Sequence, residues 1–184
     1  MVHPDAELDD SVSVGPFTVI EEGVKIGAGT RIGPNVLIGK NTQIGESCQV
    51  FHGASIGGDP QIAGFKDVLS SVEIGEHTVI REYVTIHRSM YENKTTRIGH
   101  HCLLMAYAHI GHDCQIGDYN TTTAAVSISG DCIVGKHVYW GNGSTIRQGL
   151  TVCDEVMIGM GAVVSKNITE SGVYVGIPAQ KMGK

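Results

Sequence analysis

An aliphatic residue returns every six positions along almost the whole of this chain. From Ile26 the sequence reads IGAGTR, IGPNVL, IGKNTQ, IGESCQ, an aliphatic residue and a glycine followed by smaller or polar ones. Stepping by six from Val2 to Val164 visits 28 positions, and 25 of them are Val, Ile or Leu; the exceptions are Glu92, Thr122 and Trp140. A helix repeats every ~3.6 residues and a strand every ~2, so neither produces this spacing. Each hexad predicts one short strand and one corner, with the aliphatic side chain inward and the small glycine easing the turn. Three hexads then close a coil of about 18 residues, and coils stack about 4.8 Å apart through parallel-strand hydrogen bonds. The expectation is an all-β, single-stranded parallel β-helix over residues 1–168.

Two stretches break the pattern. Residues 59–71 (DPQIAGFKDVLSS) and 89–96 (SMYENKTT) keep the six-residue phase by length but lack the Ile-Gly signature, and both read as loops leaving the prism. Loops on a rigid scaffold commonly carry binding groups. From Thr169 the repeat fades, and residues 169–184 read as a final strand and a short tail.

Composition narrows the class. With 184 residues, 25 of them Gly, 5% aromatic and 17% charged, the chain reads as one turn-rich β domain rather than a disordered or helical one. A formal net charge of −6 argues against a nucleic-acid partner. No stretch approaches the ~20 apolar residues that span a bilayer, so no stable membrane insertion is expected. The acidic start MVHPDAELDD lacks the features of a signal peptide, which points to the cytoplasm. The five cysteines form no CxxC pair and read as idle thiols.

Most of the nine histidines fall at corner or surface positions. The segment LLMAYAHIGHDC differs, because His109 and His112 flank the core Ile110 and Asp113 follows directly. On an 18-residue coil, His112 stacks with Gly130 and then Gln148. One column thus offers an imidazole able to take a proton near neutral pH, a small residue exposing its backbone N–H, and an amide. A backbone N–H nearby stabilises the oxyanion of a tetrahedral intermediate, so the column is a workable acyl-transfer site. A histidine that merely caps a corner fits the same residues.

The repeats resemble those of hexapeptide-repeat transferases, whose β-helix is left-handed. The motifs ASIGGDPQ, VTIHRS and LLMAYAHIGHDC resemble the UDP-N-acetylglucosamine 3-O-acyltransferase family, which begins lipid A synthesis. That resemblance implies His112 as general base, Gly130 as oxyanion donor, and Asp113 as an assistant to His112. It implies that His87 and His109 bind the sugar nucleotide, and that Gln61 and Gln148 contact substrate. Met160 falls near the family's acyl-chain groove, where a bulky side chain shortens the accepted chain. The resemblance further implies a homotrimer with its site between neighbouring subunits. The donor is then an acyl-carrier-protein or coenzyme A thioester, with no resident cofactor or metal.

The chain departs from the family pattern at several places. Gly64 stands where the family has a lysine after the loop glutamine, and Asp131 replaces a histidine after the oxyanion glycine. The family carries a helical C-terminal domain, whereas this sequence stops at Lys184 with YVGIPA near its end, as in small-molecule acetyltransferases of the same fold. Three other functions therefore compete. An acetyl-CoA-dependent sugar acetyltransferase would share the histidine base. A γ-class carbonic anhydrase would need a third zinc ligand beyond His101 and His137, at a position that holds Asn142. A non-catalytic scaffold would use the fold alone.

Overall fold

A computed structural model describes residues 1–183. Three sheets form the faces of a prism. The first holds eight strands from Glu7–Leu8 to Thr151–Val152, and the third holds eight from Val19–Ile20 to Val163–Val164. The second holds ten, starting at Ser13–Val14. All pair in parallel with the next coil, except that Gly172–Val175 and Gln180–Lys181 close the second sheet as an antiparallel pair. No helix among the described residues is long and apolar enough to cross a membrane.

The hexad phase sets the register. Ile98 pairs with Ile116 and Ile116 with Val134, each one 18-residue coil onward. Ile56 pairs instead with Ile86, and Ile86 with Ile110, so the two irregular segments add two hexads and one hexad without shifting the phase. The ladder of Ile20, Ile38, Ile56, Ile86, Ile110, Ile128 and Ile146 is fully buried, each side chain contributing about 1.5–3 kcal/mol. Thr122 and Trp140 break the aliphatic rule yet point inward with 1% and 0% exposure. Glu92 lies outside in the second loop.

Most glycines that follow an aliphatic residue have a different role from easing the turn, Gly57 with its φ of +81° being an exception. Gly99 has no left-handed φ; a Cβ there would lie 2.6 Å from the carbonyl carbon of Gly117 in the next coil. Close stacking of coils therefore selects glycine. The left-handed corner position is filled mostly by other residues, among them Asn41, His101 and Tyr119.

Candidate active site

The corner between the third and first sheets gathers most of the polar groups singled out above. The strand His109–Ile110 ends there, and the chain turns through Gly111, His112 and Asp113, whose φ is +63°. Aspartate tolerates this left-handed conformation better than most residues. His112 and Asp113 are nearly buried, with side chains 9% and 10% exposed. The Nδ1 of His112 lies 2.8 Å from Asp113 Oδ2. A carboxylate only accepts, so Nδ1 carries the proton and Nε2 presents its lone pair.

The second loop fixes the carboxylate from the other side. Ser89 Oγ donates to Asp113 Oδ1, and the Met90 N–H donates to Oδ2 at 3.1 Å. The Asp113 N–H donates to Thr96 Oγ1 at 2.7 Å.

The His112 ring rests directly on Gly130. A Cβ at Gly130 would fall 2.5 Å from Nε2 and 2.6 Å from Cε1, so no other residue fits beneath the ring as it stands. The sequence marks the spot: Ile128 is followed by Ser129, and the glycine comes one place late. The stack of coils is direct here, with the Asp131 N–H donating to His112 O and the Gly149 N–H to Gly130 O. The Gly130 N–H has no acceptor among the described residues.

His87 and His109 form a second tier. Their rings are 5.2 Å apart, His109 Nδ1 lies 2.9 Å from Thr85 Oγ1, and His87 Nδ1 donates to the Asp59 carbonyl. Burial, then the neighbouring His87 and His112, lower the pKa of His109, so its neutral form is favoured. Gln148, two coils beyond His112, donates from Nε2 to Asp131 Oδ2 at 2.8 Å. Gln61 is exposed on the first loop. Met160 is 79% exposed on the corner between the second and third sheets, and a single chain does not bring it to His112.

Arg88 was not among the residues singled out from the sequence. It is 7% exposed and clamps the first loop through Asp59, Asp67, the Val68 carbonyl and Ser70. The sign of it is a lone arginine directly after a buried strand, in VTIHRS, opposite a loop with two aspartates.

His112, Asp113 and Asp131 place one ligand-type atom each within 4.8 Å of one another. These groups are already engaged: His112 with Asp113, Asp113 also with Ser89, and Asp131 with Gln148. His101 and His137 stack on opposite faces of Tyr119 at 5.0 and 4.9 Å, which keeps them from converging as the carbonic anhydrase reading requires.

The bacterial transferase hexapeptide (six repeats) family model matches residues 5–40, 17–52 and 95–130. Across all 184 residues the chain is 41% identical to the acyl-[acyl-carrier-protein]–UDP-N-acetylglucosamine O-acyltransferase of Thiobacillus denitrificans, covering 71% of that protein. The chain belongs to this acyltransferase family. The protein of the same name from Alkalilimnicola ehrlichii is 42% identical over 184 residues, again 71% of its length. The LpxA structure from Acinetobacter baumannii superimposes with a TM-score of 0.96 at 35% identity, over 100% of this chain and 71% of that one. The Francisella novicida UDP-N-acetylglucosamine acyltransferase structure gives 0.94 at 34% identity, over 97% of this chain and 66% of the other. The fold is thus the left-handed parallel β-helix, and the chain is an acyltransferase. The carbonic anhydrase, acetyl-CoA and scaffold readings give way to it.

Proposed function

We propose that this chain moves an acyl group from an acyl-carrier-protein thioester to a hydroxyl of UDP-N-acetylglucosamine, with His112 as general base. The observation that carries this reading is the His112–Asp113 pair over Gly130: one ring nitrogen is held at 2.8 Å, and the other lies over Gly130, whose backbone N–H has no acceptor among the described residues. The acceptor hydroxyl gives its proton to Nε2 as its oxygen attacks the thioester carbonyl. The Gly130 N–H stabilises the resulting oxyanion, and collapse expels the thiolate of the carrier. His112 then returns the proton to that sulfur.

His87 and His109 hold the sugar nucleotide, aided by Gln61 from the first loop and Gln148 from two coils beyond His112. A homotrimer belongs to this reading, with each site at a boundary between subunits. Met160, on its separate corner, then lines the acyl groove and shortens the chain accepted; its 79% exposure in the single subunit is consistent with such a role. The reaction needs no cofactor beyond its substrates and is placed in the cytoplasm.

The test incubates the protein with UDP-N-acetylglucosamine and a panel of acyl-carrier-protein and coenzyme A thioesters, followed by mass spectrometry. A His112-dependent acylated sugar nucleotide is expected, and its mass gives the chain length. Product that persists undiminished in His112→Ala removes the base assignment.

A further inference from the structure

The buried hydroxyl of Ser89 lies on the far side of Asp113 from the histidine, and nothing in the reaction as described uses it. Ser89 is 0% exposed. Its Oγ accepts from the Tyr91 N–H at 3.0 Å and donates to Asp113 Oδ1. A second acceptor, the Tyr91 carbonyl, lies at 3.2 Å, but the single proton goes to the charged oxygen, where a hydrogen bond is stronger. The other carboxylate oxygen, Oδ2, faces both the Met90 N–H and His112 Nδ1. Both oxygens are thereby fixed, and with them the carboxylate plane.

We propose that Ser89 is a positioning residue that holds Asp113 in the one orientation that fixes the His112 tautomer. This rests on the assignment of His112 as the base. Without the Ser89 donor, the Asp113 side chain turns toward other donors, and Oδ2 no longer stays aligned with Nδ1. The imidazole then divides between its two neutral tautomers, and molecules with the proton on Nε2 cannot accept one from the substrate. The segment bearing Ser89 is itself tied down, because Ser70 Oγ donates to the Ser89 carbonyl at 2.7 Å and accepts from Arg88 at 3.1 Å.

The experiment compares Ser89→Ala, Asp113→Ala and the double variant with the unaltered enzyme, reading kcat, KM for UDP-N-acetylglucosamine, and His112 tautomers by 15N NMR. Ser89→Ala should lower kcat about tenfold with KM unchanged, and convert a single Nδ1–H tautomer to a mixture. In the Asp113→Ala background the same change should cost nothing further. Equal losses in both backgrounds, or an unchanged tautomer, overturn the proposal. Should Ser89→Ala fail to fold, Ser89→Cys keeps the volume with a weaker donor, and it must show an intermediate kcat and a partial tautomer shift. Full activity in His112→Ala would instead overturn the base assignment itself, whereas a His112 requirement with no Ser89 effect overturns only the role of Ser89.

Discussion

The imidazole of His112 occupies the space that a side chain on Gly130 would need, with Nε2 only 2.5 Å from the position of a Cβ. Two adjacent coils are thus matched, ring over glycine, where the reaction is proposed to occur. Gly130 does not have a left-handed φ, so alanine is compatible with its backbone, and the ring alone must yield. Gly130→Ala should therefore fold, losing about 1–3 kcal/mol to overpacking. Its turnover should drop by about 10² or more, because the ring must leave its place over Gly130, and the base with it. Denaturant unfolding alongside steady-state kinetics checks this; a variant as active as the parent would show that the pairing has no part in turnover.

Removing the ring separates base from scaffold. His112→Ala should reduce turnover by about 10²–10⁴ while leaving the far-UV circular dichroism and the oligomeric state unchanged. The ring contacts a corner rather than the aliphatic ladder, so the fold has little to lose. A rate within a few-fold of the parent would assign the proton transfer elsewhere.

The two levels of this protein differ in how plainly the chain spells them. The fold was legible because a β-helix writes its core once per hexad, and even the loops preserve that phase: Ile56 pairs with Ile86 and Ile86 with Ile110 across both insertions. The column of His112, Gly130 and Gln148 followed from the same arithmetic, as no insertion intervenes. The Asp113–Ser89 bond was not legible, because it joins a corner to a loop whose path no period dictates. Arg88 was missed for the same reason, since its partners Asp59 and Asp67 lie on an irregular segment. Glycine was read for its turning freedom, whereas at Gly99 it is the approach of the next coil that demands it.

His109 supplies a pH dependence of known sign. Burial lowers its pKa below the ordinary 6.5, so between the two values the unfolded chain binds more protons than the folded one. Its contribution to stability is present above pH 6.5 and is lost as the pH falls toward the folded value. The melting temperature should decline on acidification through that window, and the decline should be shallower in His109→Gln. Parallel curves for the two proteins would exclude His109 as a source.

Trp140 stands in an aliphatic row, and it is the single tryptophan in the chain, with 0% exposure. Its strand lies between Thr121–Thr122 and Val156–Ile158, so the large ring bridges the coils next to a smaller Thr122. Trp140→Ala should cost about 3–5 kcal/mol through the cavity it leaves. Urea unfolding followed by circular dichroism measures this; a loss below 1 kcal/mol, on the scale of an ordinary surface substitution, would mean that the neighbours collapse into the space.

Arg88 connects the first loop to the prism, and its replacement separates loop order from chemistry. Its guanidinium lies 2.9 Å from Asp59 Oδ1, also reaches Asp67, and sits 5.2 Å from the Phe65 ring centre. Asp59 and Asp67 are largely exposed, at 68% and 81%, so neither is stranded in an apolar site when the arginine is removed. The cost of Arg88→Ala should accordingly be modest, about 1–2 kcal/mol, rather than that of a broken buried pair. The loop itself should loosen, exposing Lys66 to trypsin several-fold faster than in the parent. Because Gln61 rides on this loop and His112 does not, KM for the sugar nucleotide should rise while kcat changes less. An unchanged rate of cleavage at Lys66 would show that the loop holds its place without the clamp, and a fall in kcat alone would place Arg88 with the Asp113 side of the network instead.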